Sequence, residues 1–125
     1  MADHVVSAKD VLLKESSSIR HAADRLDGTF NDLIEAILHS DSRVVVCGMG
    51  KSGHIAKKIF ATFVSTGTPS MFLHPAEAFH GDLGMILSQD IVIAISNSGE
   101  TEEVLKLIPF LKDNDNLIIS LTGNP

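Results

Sequence analysis

Three times along this chain a short β-branched run is followed by a turn of small residues, and that alternation constrains the fold more than any other feature. Arg43 to Cys47 reads as a strand, Gly48 to Gly53 as a loop, and His54 to about Ser65 as a helix. Ser70 to Leu73 is a short second strand. Ile91 to Ile95 is a third, followed by the loop Ser96 to Glu100 and a helix from Thr101 to Leu111. Leu117 to Leu121 is a fourth strand. Strands that are apolar along their whole length are buried on both faces, and alternation with helices places them in a parallel sheet. Right-handed crossovers make this a doubly wound α/β structure, a parallel sheet flanked by helices. Pro109 falls inside the last helical pattern. It lacks an N–H and disfavours helix at Ile108, so a kink or break is expected there.

The first third of the chain is helical. Ile19, Ala22, Ala23, Leu26, Phe30, Leu33, Ile34 and Ile37 recur at helical spacing. Gly28-Thr29 interrupts the pattern, which predicts two helices or one bent one. Ser40-Asp41-Ser42 marks a turn. Residues 1–40 are therefore expected to be helical and 43–125 α/β, in one domain, since 125 residues leave room for one core. The chain stops just past a strand, where a doubly wound sheet continues with a covering helix, so a domain truncated at its C-terminus is expected.

Ten basic and 16 acidic residues give a net charge of −6. That balance argues against nucleic acid or an anionic membrane as partner, because both select a basic face. No run is long enough to span a bilayer, and Met1-Ala-Asp-His opens a charged segment rather than a signal peptide, so a cytoplasmic location is expected. Cys47 is the one cysteine, which excludes an intramolecular disulfide, and its place in an apolar run predicts burial.

Ligands of open α/β sheets bind at the carboxyl ends of the strands. Two loops at such ends are rich in Gly, Ser and Thr, a composition that lets backbone N–H groups and hydroxyls surround an anion. The first, Gly48-Met-Gly50-Lys-Ser-Gly53, matches G-x-G-x-x-G between a strand and a helix. A dinucleotide site also needs an acidic residue some 20 positions on, and the second strand, Ser70-Met-Phe-Leu-His74, ends without one. A P-loop needs glycine where Val45 stands. Lys51 and Ser52 remain distinctive: lysine is a compact charge suited to phosphate or a developing oxyanion.

The second loop is Ser96-Asn-Ser98-Gly-Glu-Thr101. Capping of the following helix accounts for Ser98 or Thr101 alone. A phosphate cradle accounts for Ser96, Ser98 and Thr101 together. Glu100, Glu102 and Glu103 open the same helix, where acids complement the macrodipole without any further role. A third stretch, His74-Pro-Ala-Glu77-Ala-Phe-His80-Gly-Asp82, holds imidazoles able to move protons at neutral pH. His74, Glu77 and His80 are the candidate metal ligands of the chain. Pro75 forces His74 toward extended geometry, which keeps the three off one regular helix, and no metal or other cofactor is expected. His4, His21 and His39 read as surface residues.

Taken together, Val44-Val-Val-Cys-Gly-Met-Gly-Lys-Ser-Gly-His54, Ser65-Thr-Gly-Thr-Pro69, His74-Pro-Ala-Glu-Ala-Phe-His-Gly-Asp-Leu-Gly-Met85 and Ile95-Ser-Asn-Ser-Gly-Glu-Thr101 resemble the KpsF/GutQ family. These are the D-arabinose 5-phosphate isomerases, within the broader sugar-isomerase (SIS) superfamily. The resemblance implies the SIS fold and an aldose–ketose isomerisation of D-ribulose 5-phosphate and D-arabinose 5-phosphate through an enediol, without a cofactor. Its product feeds synthesis of Kdo, the acidic sugar of lipopolysaccharide. By position, Lys51, His80 and Glu103 match the family's catalytic residues, and Gly50, Ser52, Ser96, Ser98 and Thr101 its phosphosugar-binding groups. The resemblance also implies a homodimer or homotetramer, and a pair of CBS domains beyond the end of this chain. A non-catalytic phosphosugar sensor is the alternative that SIS modules offer.

Overall fold

The structure is a computed structural model and describes residues 3–124. Its centre is β1 (Val44–Gly48), every residue of which is buried. β1 pairs in parallel with β2 (Ser70–Leu73) on one side and β3 (Ile91–Ile95) on the other, and β3 pairs in parallel with β4 (Leu117–Leu121). The order β2-β1-β3-β4 is that of a doubly wound sheet, with its switch point between β1 and β3. Three of these strands have the limits that the apolar runs predict. β1 is shifted by one residue, because Gly48 still pairs with Ile95.

Alternation along the strands feeds two cores. Val45, Cys47, Leu73, Val92 and Ala94 point to the face covered by α4 (Pro75–Ala78) and α5 (Glu102–Asp113), where Ala78, Val104, Leu107 and Leu111 meet them. Val44, Val46, Ile93 and Ile95 point to the opposite face, where α3 (Gly50–Ser65) contributes Ala56, Ile59, Phe60 and Phe63. Helices on both faces explain why β1 and β3 carry no polar residue. A short 3₁₀ turn, Asp82–Met85, follows α4.

The chain divides into two compact units, residues 1–36 and 37–125. The first holds α1 (His4–Asp24), whose N-terminus is capped by the Asp3 carboxylate accepting from the N–H groups of Val5 and Val6. A second helix, α2 (Gly28–Leu38), begins where the sequence pattern breaks, with Asp27 accepting from both the N–H and the hydroxyl of Thr29.

Pro109 breaks nothing: α5 runs through it to Asp113. The bond that proline removes belongs to an exposed stretch, since Leu105 and Pro109 both face outward, while Leu107 and Leu111 on the inner side are fully buried. Burial of those two leucines, worth about 1.5–3 kcal/mol each, outweighs one solvent-exposed backbone bond.

The amino edge of the sheet is tied by a polar knot. Asp90 is 1% exposed and accepts from Arg43 Nε at 3.1 Å, Arg43 Nη2 at 2.6 Å and the N–H of Leu87 at 2.9 Å. Asn116 donates its amide to the carbonyls of Leu87 and Asp90 at 2.7 and 2.9 Å. These bonds fix the chain between the 3₁₀ turn and β3, leaving the carboxyl edge for the loops.

Candidate active site

At the carboxyl edge, Gly48 and Ile95 are register partners, so the chains after β1 and β3 leave the sheet at the same level. α3 begins at Gly50, four residues earlier than the periodicity predicts, because the apolar pattern starts only beyond its first turn. Lys51 and Ser52 are therefore first-turn residues of a helix rather than loop residues. The helix starts tight against the strand. A Cβ on Gly53 would lie 2.8 Å from the carbonyl oxygen of Gly48, and one on Gly48 would lie 2.9 Å from the backbone of Ser52. Gly50 sits at φ +55, a left-handed conformation that favours glycine. The three glycines of the loop thus serve close packing and a turn.

Among the described residues no side chain caps α3, whose N-cap residue is Met49. Nor does one cap α5, whose N-cap residue is Thr101. The Thr101 hydroxyl is bonded instead to the Ser96 hydroxyl at 2.8 Å, and Ser98 Oγ accepts from the N–H of Glu100 at 3.1 Å. Capping by Ser98 or Thr101, which the sequence allowed, is not what these side chains do. The first N–H groups of a helix have no partner within it. Two helices on neighbouring strands therefore present free N–H groups and the positive ends of their dipoles at one edge, an arrangement that attracts an oxyanion. The Ser98 proton and one proton of the Ser96–Thr101 pair remain available to donate.

The structure also separates the three glutamates. Glu102 is bonded to Lys106 at 2.6 Å, and that hydrogen bond, with the lysine's charge, holds its carboxyl below the usual range. Glu100 lies exposed in the loop. Glu103, in the first turn of α5, is half-buried and has no salt bridge among the described residues. His80 lies exposed in the turn after α4. Lys51, Glu103 and His80 thus come from segments following β1, β3 and β2, three neighbouring strands. His74, Glu77 and His80 do not form a ligand set: among the described residues no three His, Cys, Asp or Glu side chains come together to hold a metal ion. His74 is extended, outside the short helix that holds Glu77 and ahead of the turn that holds His80.

Sequence reasoning missed the residues behind the second loop. Gly123 N–H donates to the Asn97 carbonyl at 3.1 Å, and Ser96 N–H to the Leu121 carbonyl at 3.1 Å. Asn124 Nδ2 reaches the Ser98 carbonyl at 3.4 Å. A Cβ on Gly99 would meet Asn124 O at 3.1 Å and the Thr122 hydroxyl at 3.2 Å, and one on Gly123 would meet Asn97 at 3.1 Å. The turn Thr122-Gly123-Asn124 is the back wall of the hydroxyl loop. Its signal in the sequence was its position one strand along from that loop.

The SIS domain family matches residues 37–125. The chain belongs to the SIS-domain family. Among curated relatives, the chain is 49% identical to arabinose 5-phosphate isomerase KpsF of Escherichia coli O6:H1 over 96% of its length, and 52% identical to arabinose 5-phosphate isomerase KdsD of Yersinia pestis over 98%. It spans 37% and 38% of the length of those two proteins. Among solved structures, an Escherichia coli CFT073 protein in complex with arabinose 5-phosphate is 44% identical and superimposes with a TM-score of 0.91, over 98% of this chain and 66% of that one. Among the described residues no helix is long and apolar enough to cross a membrane.

Proposed function

We propose that this SIS domain carries the phosphosugar site of an isomerase interconverting D-ribulose 5-phosphate and D-arabinose 5-phosphate. The observation that carries this reading is the pair of uncapped N-termini, α3 and α5, on neighbouring strands with the Ser96, Ser98 and Thr101 hydroxyls beside them. The sugar phosphate takes the N–H groups of Gly50, Lys51 and Ser52 and the three hydroxyls as donors. Holding the phosphate fixes the distance from the anchor to C1 and C2, which converts binding into orientation.

The chemistry is a proton transfer between carbons. A base takes one proton from C1 of the ketose, the electrons form the C1–C2 double bond, and O2 takes up a proton to give the enediol. Loss of the O1 proton then forms the C1 aldehyde, and C2 receives a proton. Glu103 is the carboxylate for the carbon protons, since among the described residues it is the one acid of its turn that is both half-buried and free of a salt bridge. Lys51 stabilises the negative charge on the oxygens. His80 moves the proton between O1 and O2. Identities of 49% and 52% to proteins named as isomerases favour this over a non-catalytic sensor. The product would serve Kdo and lipopolysaccharide synthesis in the cytoplasm. The exposed apolar residues of α1, including Leu12, Leu13 and Ile19, support a homodimer or homotetramer.

Incubation of the full-length protein with ribulose 5-phosphate tests this. Arabinose 5-phosphate should accumulate to equilibrium. Lys51→Ala and Glu103→Ala should each lower kcat by about 10²–10⁴-fold, the range of a positioned acid, base or charge. Unchanged turnover in either variant removes that residue from the mechanism; no product from the wild type removes the reading.

A further inference from the structure

The Gly48–Lys51 turn has two sides. One faces the hydroxyl loop after β3. The other faces β2, and there lies a cavity of about 140 Å³ lined by Gly50, Gly53, His54, Lys57, Phe72 and His74. Gly50, Gly53, His54 and Lys57 stand at positions i, i+3, i+4 and i+7 of α3, one face of the helix. Phe72 and His74 are two apart on and just past β2, so they share the facing wall.

The lining is chemically one-sided. Its titratable groups are one ammonium and two imidazoles, with no carboxylate, in a chain of net charge −6. Lys57 Nζ is held 5.0 Å over the centroid of the Phe72 ring, a cation–π contact, and has no salt bridge among the described residues. The Phe72 ring also meets the His74 ring edge-on at 6.3 Å, which fixes the imidazole. His74 Nδ1 is buried and has no hydrogen-bond partner among the described residues. A buried polar atom without a partner is costly, and native structures usually give it one from protein, water or a bound group. The volume is ample for a carboxylate or phosphate group.

We infer that this cavity is a second oxyanion subsite, on the β2 side of the glycine turn, which takes the phosphate or carboxylate group of a small metabolite between Lys57 and His74. The His74 imidazole donates one ring N–H, the Lys57 ammonium supplies the charge, and His54 stands at the rim. That it is second, rather than the only anion site, rests on the reading above that the sugar phosphate sits on the β3 side.

The test is an NMR titration of the protein with inorganic phosphate, then malonate, then arabinose 5-phosphate, following the His54 and His74 imidazole signals and the Ser96–Thr101 amides separately. Phosphate or malonate should move the two imidazoles, the stronger of the two naming the anion class. Lys57→Gln, an exposed position that leaves the fold intact, should weaken that event about tenfold, the effect of one charge-assisted bond. Ser98→Ala should leave it unchanged while weakening arabinose 5-phosphate at the loop amides. Imidazoles that stay still in both anions overturn the subsite, as does a Lys57→Gln variant with wild-type affinity. A loop that ignores arabinose 5-phosphate while the imidazoles respond to anions removes the phosphosugar reading and leaves this site standing as the anion site of the domain.

Discussion

Gly53→Ala is the substitution that tests most sharply how packing serves the site. The added Cβ would lie 2.8 Å from the Gly48 carbonyl oxygen, whereas ordinary contact begins near 3.4 Å. The obstacle is backbone, so neither a rotamer change nor a side-chain swing relieves it. The start of α3 must move away from β1 by about 0.6 Å, the difference of those two distances. Overpacking of this kind costs about 1–3 kcal/mol, against a gain of at most about 1 kcal/mol from replacing glycine by alanine in a helix. A net loss of about 1–2 kcal/mol should appear in urea denaturation as a lower midpoint at unchanged slope. The same shift carries Lys51 and Ser52, two residues and one residue before it. Since a misplacement near 1 Å costs up to about 10²-fold, arabinose 5-phosphate affinity and turnover should fall about tenfold or more. Gly28→Ala is the control: it has open space around its Cβ and an ordinary φ, and should leave binding as it is and raise stability by at most about 1 kcal/mol. A Gly53→Ala protein with wild-type stability and affinity would refute the close-approach reasoning.

Asp90→Ala should destabilise by about 2–3 kcal/mol in urea, because it strips three bonds at a residue 1% exposed, although Arg43 is exposed enough to be partly resolvated; a change under about 0.5 kcal/mol would count against the knot. Cys47 has its thiol pushed up to about 11 from 9.0 by burial, so the unfolded chain loses its proton first as pH rises. Its contribution is complete below pH 9 and declines by about 2.7 kcal/mol between pH 9 and 11, a slope that Cys47→Ala should lack. Thr101→Ala breaks the 2.8 Å bond to Ser96, which is 6% exposed, and removes a donor but no helix cap; KM for the phosphosugar should rise several-fold, with a stability loss of about 1–2 kcal/mol from the unpartnered Ser96 hydroxyl, and an unchanged KM would remove Thr101 from the site. Gly123→Ala should push Asn97 and weaken phosphosugar binding as Ser98→Ala does, although residue 123 itself donates no side chain; equal binding would remove the Thr122–Asn124 turn from the site's support.

How much was legible in advance follows from which interactions are local. The strands Ser70–Leu73, Ile91–Ile95 and Leu117–Leu121 could be read to the residue, because short apolar runs with polar or proline borders are local signals. Their parallel order followed from the helices between them. The start of α3 could not be read, since Gly50-Lys-Ser-Gly53 has no helical propensity to announce it and is held helical by its approach to β1. Pro109 misled for a related reason: its local cost is real, but Leu107 and Leu111 are buried on the other side of the helix. At the site, the two loops were visible as clusters of Gly, Ser and Thr. What each hydroxyl does was not, because the Ser96–Thr101 bond and the uncapped helix starts depend on backbone placement. The Thr122–Asn124 wall and the Lys57–Phe72–His74 cavity are contacts between distant parts of the chain. Nothing in their local sequence marks them.

A sugar phosphate resting on the two uncapped helix starts is the centre of the proposed mechanism. A crystal of the protein soaked with arabinose 5-phosphate tests it directly. Phosphate oxygens should lie within hydrogen-bond reach of the Lys51 and Ser52 N–H groups and of the Ser98 and Thr101 hydroxyls, with C1 and C2 toward Glu103. A phosphate bound at the Lys57–His74 cavity with the Ser96–Thr101 loop empty would contradict it.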